Sequence, residues 1–204
     1  MVSYGPRSLI KLGQTNVIEH QLTILHKIFN DPQIIIVVGY DANRIMNNTP
    51  DDIVKIENEN YETTNVVRSI GMGLRACVNP SVLVLYGDLV FNEEALRWSY
   101  DKSSIVLTEG NDKESVGCIT DNGYVSRLAF GLANPWAQIM FVMGKELRLL
   151  KKAAWNPEKY QLYGFEAIND IIDGGGKFLA HSPPNMKIVD IDSSRDIELA
   201  KEVV

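Results

Sequence analysis

Acidic residues that could bind a metal follow two apolar stretches of this sequence. The run Val82–Leu85 is β-branched and leucine-rich, and it continues through Tyr86 and Gly87 to Asp88. Such a run predicts a strand covered on both faces, as in a parallel α/β sheet. Ligands of these sheets bind beyond the carboxyl ends of the strands, where a carboxylate can hold a divalent metal against phosphate oxygens. A tight turn also favours Asp at this position, so the strand alone leaves both interpretations open.

A second acidic cluster, Asp190-Ile191-Asp192, ends the predicted strand that begins near Lys187. Asp190 and Asp192 alternate along an extended strand and therefore point to the same face. If this strand end lies beside Asp88, two carboxylates can share one Mg²⁺, which prefers a few protein carboxylates together with waters and substrate phosphates. A solvated acid in a turn at the strand end explains the composition equally well.

Three further segments carry groups that can bind a ligand. Arg7 lies in a short basic stretch before the first predicted helix and can hold phosphate through two parallel hydrogen bonds, although a surface role is more common. The polar segment 58–65 can form a wall for a nucleotide or an acceptor, or it can serve only to cap a helix through Thr64. Aromatic residues can supply a cation–π surface for a quaternary amine, although packing is their more common role; they are Trp136, Trp155, Tyr160 and Tyr163.

The order of predicted elements sets the fold class. Strands and helices alternate over the first half, with helices near 15–29, 64–77 and 93–100, and Asn16 with Glu19 is typical of a capping box. The second half contains shorter strands, and Asp121-Asn122-Gly123 predicts a hairpin. The sequence therefore predicts an α/β fold with a mixed, mostly parallel sheet flanked by helices and antiparallel strands in the C-terminal half. We expect residues 1–204 to form a single domain.

Composition excludes several classes of function. The 204 residues are 45% hydrophobic and carry a net charge of −6 without a basic face, which argues against nucleic-acid binding. Cys77 and Cys118 lack the spacing of a metal or redox motif and predict reduced thiols. The chain contains no signal peptide and no apolar run of about 20 residues, so we expect a cytoplasmic protein without a membrane span.

Five segments, taken together and in order, resemble the nucleotidyltransferases with the glycosyltransferase-A-like fold. Asn60-Tyr61, Thr64-Asn65 and Ser69 resemble the choline-phosphate cytidylyltransferase branch of that family. The other similar segments are Pro6-Arg7-Ser8-Leu9 with Glu19-His20-Gln21-Leu22, Val37-Val38-Gly39-Tyr40, Tyr86-Gly87-Asp88, and Ile191-Asp192-Ser193 with Arg195-Asp196-Ile197. The resemblance covers nearly the whole chain.

This resemblance implies a Mg²⁺-dependent transfer of a nucleotidyl group, with CMP favoured, from an NTP to a small phosphate, phosphonate or sugar-1-phosphate, with release of pyrophosphate. It implies that Asp88 and Asp192 hold Mg²⁺ and that Arg7, in place of the usual lysine, neutralises the phosphates. The nucleotide side would consist of Gly39, Tyr40, Asn65 and Gly87. The acceptor side would consist of Glu166, Tyr163 and Trp136.

The sequence departs from the family pattern at its start. The family opens with a strand and an A-A-G-x-G-x-R-type loop, whereas here only residues 1–4 precede Gly5-Pro6-Arg7. Three interpretations stay open: a shortened form of a longer protein, a nucleotide site built differently, or lost activity. The strand that ends at Asp88 would then have an open edge for another strand or another subunit, so we expect self-association.

Two alternative functions stay open beside the transferase. The first is a non-catalytic nucleotide-binding or assembly module that has lost the glycine-rich loop. The second is a nucleotide-sugar glycosyltransferase, although Asp88-Leu89-Val90 lacks the second acid of the D-x-D pattern usual in those enzymes.

Overall fold

The structure is a computed structural model that describes residues 5–110 and 113–204. Its helices are α1 Val17–Ile28, α2 Ala42–Asn47, α3 Val66–Ala76, α4 Gly144–Ala154, α5 Gly164–Asp173 and α6 Ser194–Lys201. Its strands are β1 Lys11–Leu12, β2 Thr15–Asn16, β3 Ile35–Val38, β4 Val54–Glu57, β5 Ser81–Leu85, β6 Leu89–Phe91, β7 Ser104–Leu107, β8 Val116–Asp121, β9 Tyr124–Phe130, β10 Trp136–Met143, β11 Leu179–His181 and β12 Ile188–Asp190. Short 3-10 turns span Arg7–Leu9, Glu93–Leu96 and Pro157–Lys159.

The chain divides into two compact units. The first comprises the described residues of Met1–Glu57 together with Tyr86–Arg97 and Pro183–Val204. The second comprises Asn58–Leu85 and the described residues of Trp98–Ser182. The expectation of one domain over residues 1–204 stays a prediction.

The first unit contains three strand pairs and the helices α1, α2 and α6. Strands β3 and β4 pair in parallel, whereas β1 with β2 and β6 with β12 pair antiparallel. The predicted capping box at the start of α1 is confirmed. The side chain of Asn16 accepts a hydrogen bond from the Glu19 amide at 2.9 Å, and the Glu19 carboxylate accepts one from the Asn16 amide at 3.0 Å.

Helix α1 contributes to two hydrophobic clusters among the described residues of the first unit. Its start packs with strand and helix residues from distant parts of the chain, namely Ile10, Leu12, Val17, Val90, Ile191, Ile197 and Ala200. Its next turn packs on the β3–α2 segment in a cluster of Ile18, Leu22, Val38, Ala42, Ile45 and Ile53. Helix α1 is therefore the element on which this unit is organised.

The second unit is built on a six-stranded sheet with the order β5-β10-β7-β11-β9-β8. Strands β7 and β11 pair in parallel, and the other neighbours in this sheet pair antiparallel. The predicted hairpin joins β8 to β9. Its turn residues Asn122 and Gly123 have φ values of 49° and 80°, the left-handed backbone that an Asn-Gly hairpin turn requires.

The structure confirms the predicted α/β class with a mixed sheet and flanking helices, but antiparallel pairs predominate among the described strands. The expectation that β5 lies in a parallel part of the sheet was wrong, because β5 is an edge strand whose neighbour β10 pairs with it antiparallel. An apolar run indicates burial without indicating which strands lie beside it. The predicted helix near 93–100 was also wrong. It is reduced to the turn Glu93–Leu96, and the Trp98 ring packs against the Tyr100 ring with centroids 4.7 Å apart and a tilt of 33°.

None of the helices in the described part of the chain is both long and apolar enough to cross a bilayer.

A glycine allows helices α3 and α4 to approach closely. A Cβ atom added at Gly71 would lie 2.3 Å from the carbonyl oxygen of Ala154, and the indole Nε1 of Trp155 donates a hydrogen bond to the Gly71 carbonyl at 3.1 Å. Glycine usually weakens the middle of a helix. Here, close helix contact compensates for that cost.

We expect Gly71→Ala to lower the free energy of unfolding by about 1–3 kcal/mol, because the added methyl group would overlap a main-chain carbonyl. Urea unfolding followed by circular dichroism measures this loss. Gly87→Ala is the matched control, since no atom lies within 4 Å of a Cβ added there and Gly87 has no positive φ. Equal stability of the two variants would contradict the close-contact explanation.

Candidate functional site

One arginine joins the two carboxylates that the sequence singled out. Nitrogen Nη1 of Arg7 lies 2.9 Å from an oxygen of Asp88 and 2.8 Å from an oxygen of Asp192. Because both distances end on the same atom, these two oxygens are no further apart than their sum, about 5.7 Å. The structure therefore brings together the three residues predicted to act in catalysis.

The backbone of the first unit positions the two acids. Strands β6 and β12 pair antiparallel, with Asp190 opposite Leu89, and the amide of Ile191 donates a hydrogen bond to the carbonyl of Asp88 at 3.1 Å. Asp88 thus precedes one strand and Asp192 follows the other at the same end of the pair. The side chain of Asp88 is 24% exposed and that of Asp192 is 67% exposed, so the pair faces solvent.

The charges around Arg7 keep it protonated. Partial burial acts to lower the pKa of its guanidinium, but the hydrogen bond to Asp88 and the negative charges of Asp88, Asp192 and Asp190 outweigh burial and raise that pKa. Arg7 is therefore a permanent counter-ion for this acidic group.

Helix α1 supports the turn that carries Asp88. The side-chain amide of Gln21 donates hydrogen bonds to the carbonyl oxygens of Tyr86 at 2.9 Å and of Leu89 at 2.8 Å. A ring nitrogen of His20 lies 2.8 Å from the carbonyl oxygen of Phe91, at the other end of β6. Two neighbouring side chains of α1 thus bind the main chain at both ends of this strand.

Helix α6 holds the segment around Asp192 through Asp196. One carboxylate oxygen of Asp196 accepts hydrogen bonds from the Asp192 amide at 3.1 Å and from the amide and hydroxyl of Ser193. Burial acts to raise the pKa of Asp196, but these hydrogen bonds dominate and lower it. Because this cap uses only the main-chain amide of Asp192, the Asp192 carboxylate can contact Arg7.

The donor set fits a hard divalent cation. Two carboxylates at strand ends supply the oxygen ligands that Mg²⁺ prefers, and Mg²⁺ ordinarily completes its shell with waters and phosphate oxygens. The residues that the structure describes contain no cluster of three or more His, Cys, Asp or Glu side chains arranged for a metal. Two protein ligands are nevertheless enough for a metal that arrives with a phosphate-bearing substrate.

The other predicted nucleotide residues of the first unit lie in turns after strands. Gly39 and Tyr40 follow β3, and Tyr40 is exposed. Gly87 is exposed in the turn between Tyr86 and Asp88, with open space where a Cβ atom would lie.

The remaining predicted site residues lie in the second unit. Asn65 caps α3, with its side chain accepting the Val66 amide at 2.7 Å and its own amide donating to the Tyr160 carbonyl at 2.7 Å. Tyr163 begins α5, is 54% exposed and donates its amide to the Glu166 carboxylate at 2.8 Å. Trp136 is only 8% exposed, and its indole donates to the Ile139 carbonyl at 3.2 Å.

Sequence reasoning did not assign a role to Gln21 or Asp196. The signal for Gln21 was its place on the apolar face of α1, four residues after Val17 and beside Leu22. A polar residue in an apolar stripe needs hydrogen-bond partners, so its position predicted buried contacts. Asp196 lies three residues after Ser193, the capping-box spacing that Asn16 and Glu19 also show.

A comparison with protein families identifies the class of this chain. Residues 2–129, more than half of the 204, match the model of the MobA-like NTP transferase domain. The chain therefore belongs to the MobA-like NTP transferase domain family and is a nucleotidyltransferase by family. No curated protein gives a significant sequence match.

Solved structures show the same fold at low sequence identity. The CTP:phosphocholine cytidylyltransferase from Streptococcus pneumoniae superposes with a TM-score of 0.79 at 20% identity, over 97% of this chain and 89% of that one. The inositol-1-phosphate CTP transferase from T. maritima superposes with a TM-score of 0.75 at 14% identity, over 97% of this chain and 87% of that one. A putative glucose-1-phosphate thymidylyltransferase from Bacillus anthracis superposes with a TM-score of 0.76 at 13% identity, over 98% of this chain and 87% of that one.

We expect Arg7→Gln to lower the melting temperature in metal-free buffer, because Asp88 and Asp192 would then face each other without a counter-ion. The loss of unfolding free energy should be about 1 kcal/mol or less, since Asp192 is mostly exposed and solvent screens the charges. Millimolar Mg²⁺ should raise the melting temperature of this variant more than that of the wild type. Differential scanning calorimetry with and without Mg²⁺ measures both effects.

Arg127→Gln is the control, because Arg127 pairs with the single carboxylate of Asp173 at 3.5 Å in the second unit. Its melting temperature should respond to Mg²⁺ as the wild type does. The same Mg²⁺ response in both variants would mean that the effect is not specific to the Asp88 and Asp192 pair.

Proposed function

We propose that this protein transfers a nucleoside monophosphate, with CMP preferred, from an NTP to a small phosphorylated acceptor. An oxygen of the acceptor forms a bond to the α-phosphorus, the bond from that phosphorus to the bridging oxygen breaks, and pyrophosphate leaves. The observation that carries the proposal is the contact of Arg7 with both Asp88 and Asp192. Nucleotidyl transfer depends on positioning and charge neutralisation, and this group supplies both.

In this proposal Asp88 and Asp192 hold the divalent metal. When bound, Mg²⁺ neutralises charge on the phosphates and fixes their geometry. The carboxylates contribute by their placement, since the β6–β12 pair and the bond from Ile191 to Asp88 set their separation before any ligand arrives. A site arranged in advance loses less conformational entropy on binding.

Arg7 has two partners in succession in this proposal. In the ligand-free protein its single positive charge lies between the two carboxylates and offsets part of their negative charge. Once the carboxylates have another counter-ion, its donors are available to phosphate oxygens, for which a guanidinium is well shaped. The larger, planar group in place of lysine can thus bridge two acids in one state and bind phosphate in the other.

The preference for CTP rests on two observations. The segment Asn60-Tyr61, Thr64-Asn65 and Ser69 resembles the choline-phosphate cytidylyltransferase branch. Two of the similar solved structures are named as transferases that use CTP. Hydrogen bonds hold this segment in the second unit. The buried side-chain amide of Asn58 donates hydrogen bonds to the hydroxyls of Thr64 at 3.1 Å and Ser69 at 3.2 Å.

We assign the acceptor side to the start of α5. Tyr163 is exposed there, its ring stacks on Phe165 at 6.0 Å, and Phe165 meets Phe130 edge-on at 5.4 Å. Glu166 supplies a negative charge beside these rings, a combination that suits an acceptor with a cationic head group. Trp136 is buried, so in this proposal it supports the acceptor side without contacting the acceptor.

Titration calorimetry with CTP, UTP, GTP and ATP, each with and without Mg²⁺, tests the donor. We expect Mg²⁺-dependent binding that is strongest for CTP. A nucleotide present at about a hundred times its Kd should also raise the free energy of unfolding by roughly 2.7 kcal/mol. Asp88→Asn should weaken Mg²⁺–CTP binding at least about tenfold. Loss of a residue that only supports a metal ligand already weakens metal binding by about that factor, and Asp88 is proposed as a ligand itself.

Asp51→Asn is the control, because the Asp51 side chain is fully exposed and pairs with Lys55, at 3.5 Å, on the surface of the same unit. Pyrophosphate release from CTP with choline phosphate or sugar-1-phosphates as acceptors then tests the transfer itself. Binding of no nucleotide would overturn the proposal and favour an assembly module. Cleavage of a UDP-sugar without pyrophosphate release from any NTP would favour a glycosyltransferase.

A further inference from the structure

Gln21 binds the main chain on both sides of Asp88. Its side-chain nitrogen donates one hydrogen bond to the Tyr86 carbonyl and one to the Leu89 carbonyl, at 2.9 and 2.8 Å. These two carbonyls bracket the dipeptide Gly87-Asp88. Both amide hydrogens of Gln21 are therefore used on one four-residue turn.

The position of Gln21 is costly for a polar residue. Only 8% of it is exposed, and it lies on the face of α1 whose other buried members are Val17, Ile18, Leu22 and Ile24. An apolar residue would fill this place at lower desolvation cost, since a buried amide is tolerated only when hydrogen bonds compensate. The helix that carries Gln21 is itself fixed by its capping box and by both core clusters.

The turn held by Gln21 contains an exposed glycine, and Asp88 within it also pairs with Arg7 through its carboxylate. Gly87 is exposed and has no neighbour within 4 Å of a Cβ position, and the paired strand begins only at Leu89. The carbonyl of Asp88 accepts the Ile191 amide, which fixes one point of the turn. The contacts of Gln21 fix the residues before and after that point, so together with the Arg7 ion pair they set the direction of the Asp88 side chain.

We propose that Gln21 is a positioning residue for the metal-binding carboxylate, which it holds toward Asp192 by fixing the turn Tyr86–Leu89. This inference rests on the proposed function, because it assigns Asp88 a metal. Gln21 touches neither substrate nor metal in this role. It sets the distance between the two carboxylates through the main chain, as outer-shell partners do in metal sites.

A purely structural role for Gln21 is the alternative, and His20 provides the comparison. His20 precedes Gln21 on the same helix and makes one hydrogen bond to the same strand, at Phe91, away from Asp88. Removal of either contact should lower the melting temperature. Only the removal of the Gln21 contacts should change the affinity for a divalent metal.

The test compares Gln21→Met with His20→Met, since methionine is similar in length to glutamine and donates no hydrogen bond. Electron paramagnetic resonance of Mn²⁺, used in place of Mg²⁺ with CTP present, measures metal affinity. We expect Gln21→Met to weaken Mn²⁺ binding about tenfold or more, and His20→Met to stay within about twofold of the wild type. Hydrogen exchange of the metal-free proteins should be faster over residues 86–89 in Gln21→Met alone.

Each outcome decides the inference. Unchanged Mn²⁺ affinity in Gln21→Met, or an equal loss in both variants, overturns it. Failure of the wild type to bind Mn²⁺ overturns the proposed function together with the metal role of Gln21. Exchange over residues 86–89 in the same samples then shows independently whether Gln21 holds the turn, because that measurement needs neither metal nor nucleotide.

Discussion

Two like charges held close together are the constraint on which the first unit depends. Carboxylate oxygens about 5.7 Å apart or less repel each other, and a cation placed between them offsets that repulsion. Arg7 supplies that cation, and its raised pKa keeps it charged. Strand pairing, the Gln21 contacts and the Asp196 cap all act on the same short distance, so the unit is arranged to hold an electrostatically unfavourable pair in place.

Local signals predicted those parts of the molecule that depend on neighbours in the chain. The capping box of α1, the Asn122-Gly123 hairpin and the acids at strand ends each follow from a few consecutive residues. The sequence predicted that Asp88 and Asp192 come together only if the two strand ends lie side by side. The antiparallel pairing of β6 and β12 satisfies that condition, and no local pattern specifies which strands pair.

The parts that could not be predicted depend on distant residues. The apolar run of β5 has the same composition whether its neighbours run parallel or antiparallel, and β10 comes some fifty residues later. The pattern near residues 93–100 predicts a helix, whereas the structure has only the turn Glu93–Leu96, followed by contact between the Trp98 and Tyr100 rings. Trp136 and Glu166 have residue types that suit a ligand, and the structure adds that Trp136 is buried and that the Glu166 carboxylate accepts a hydrogen bond from the Tyr163 amide. Residue type alone predicts neither the burial of Trp136 nor the hydrogen bond of Glu166.

The division of the chain into segments also sets an order of folding. The second unit is complete once Ser182 has been made, whereas the first still needs Pro183–Val204. Until then, Val17 and Val90 lack their partners Ile191, Ile197 and Ala200, so a growing chain exposes this apolar surface to chaperones and to aggregation. The paired carboxylates appear only when that last segment docks. Metal binding would therefore report that synthesis has passed Asp192 and that the first unit has closed.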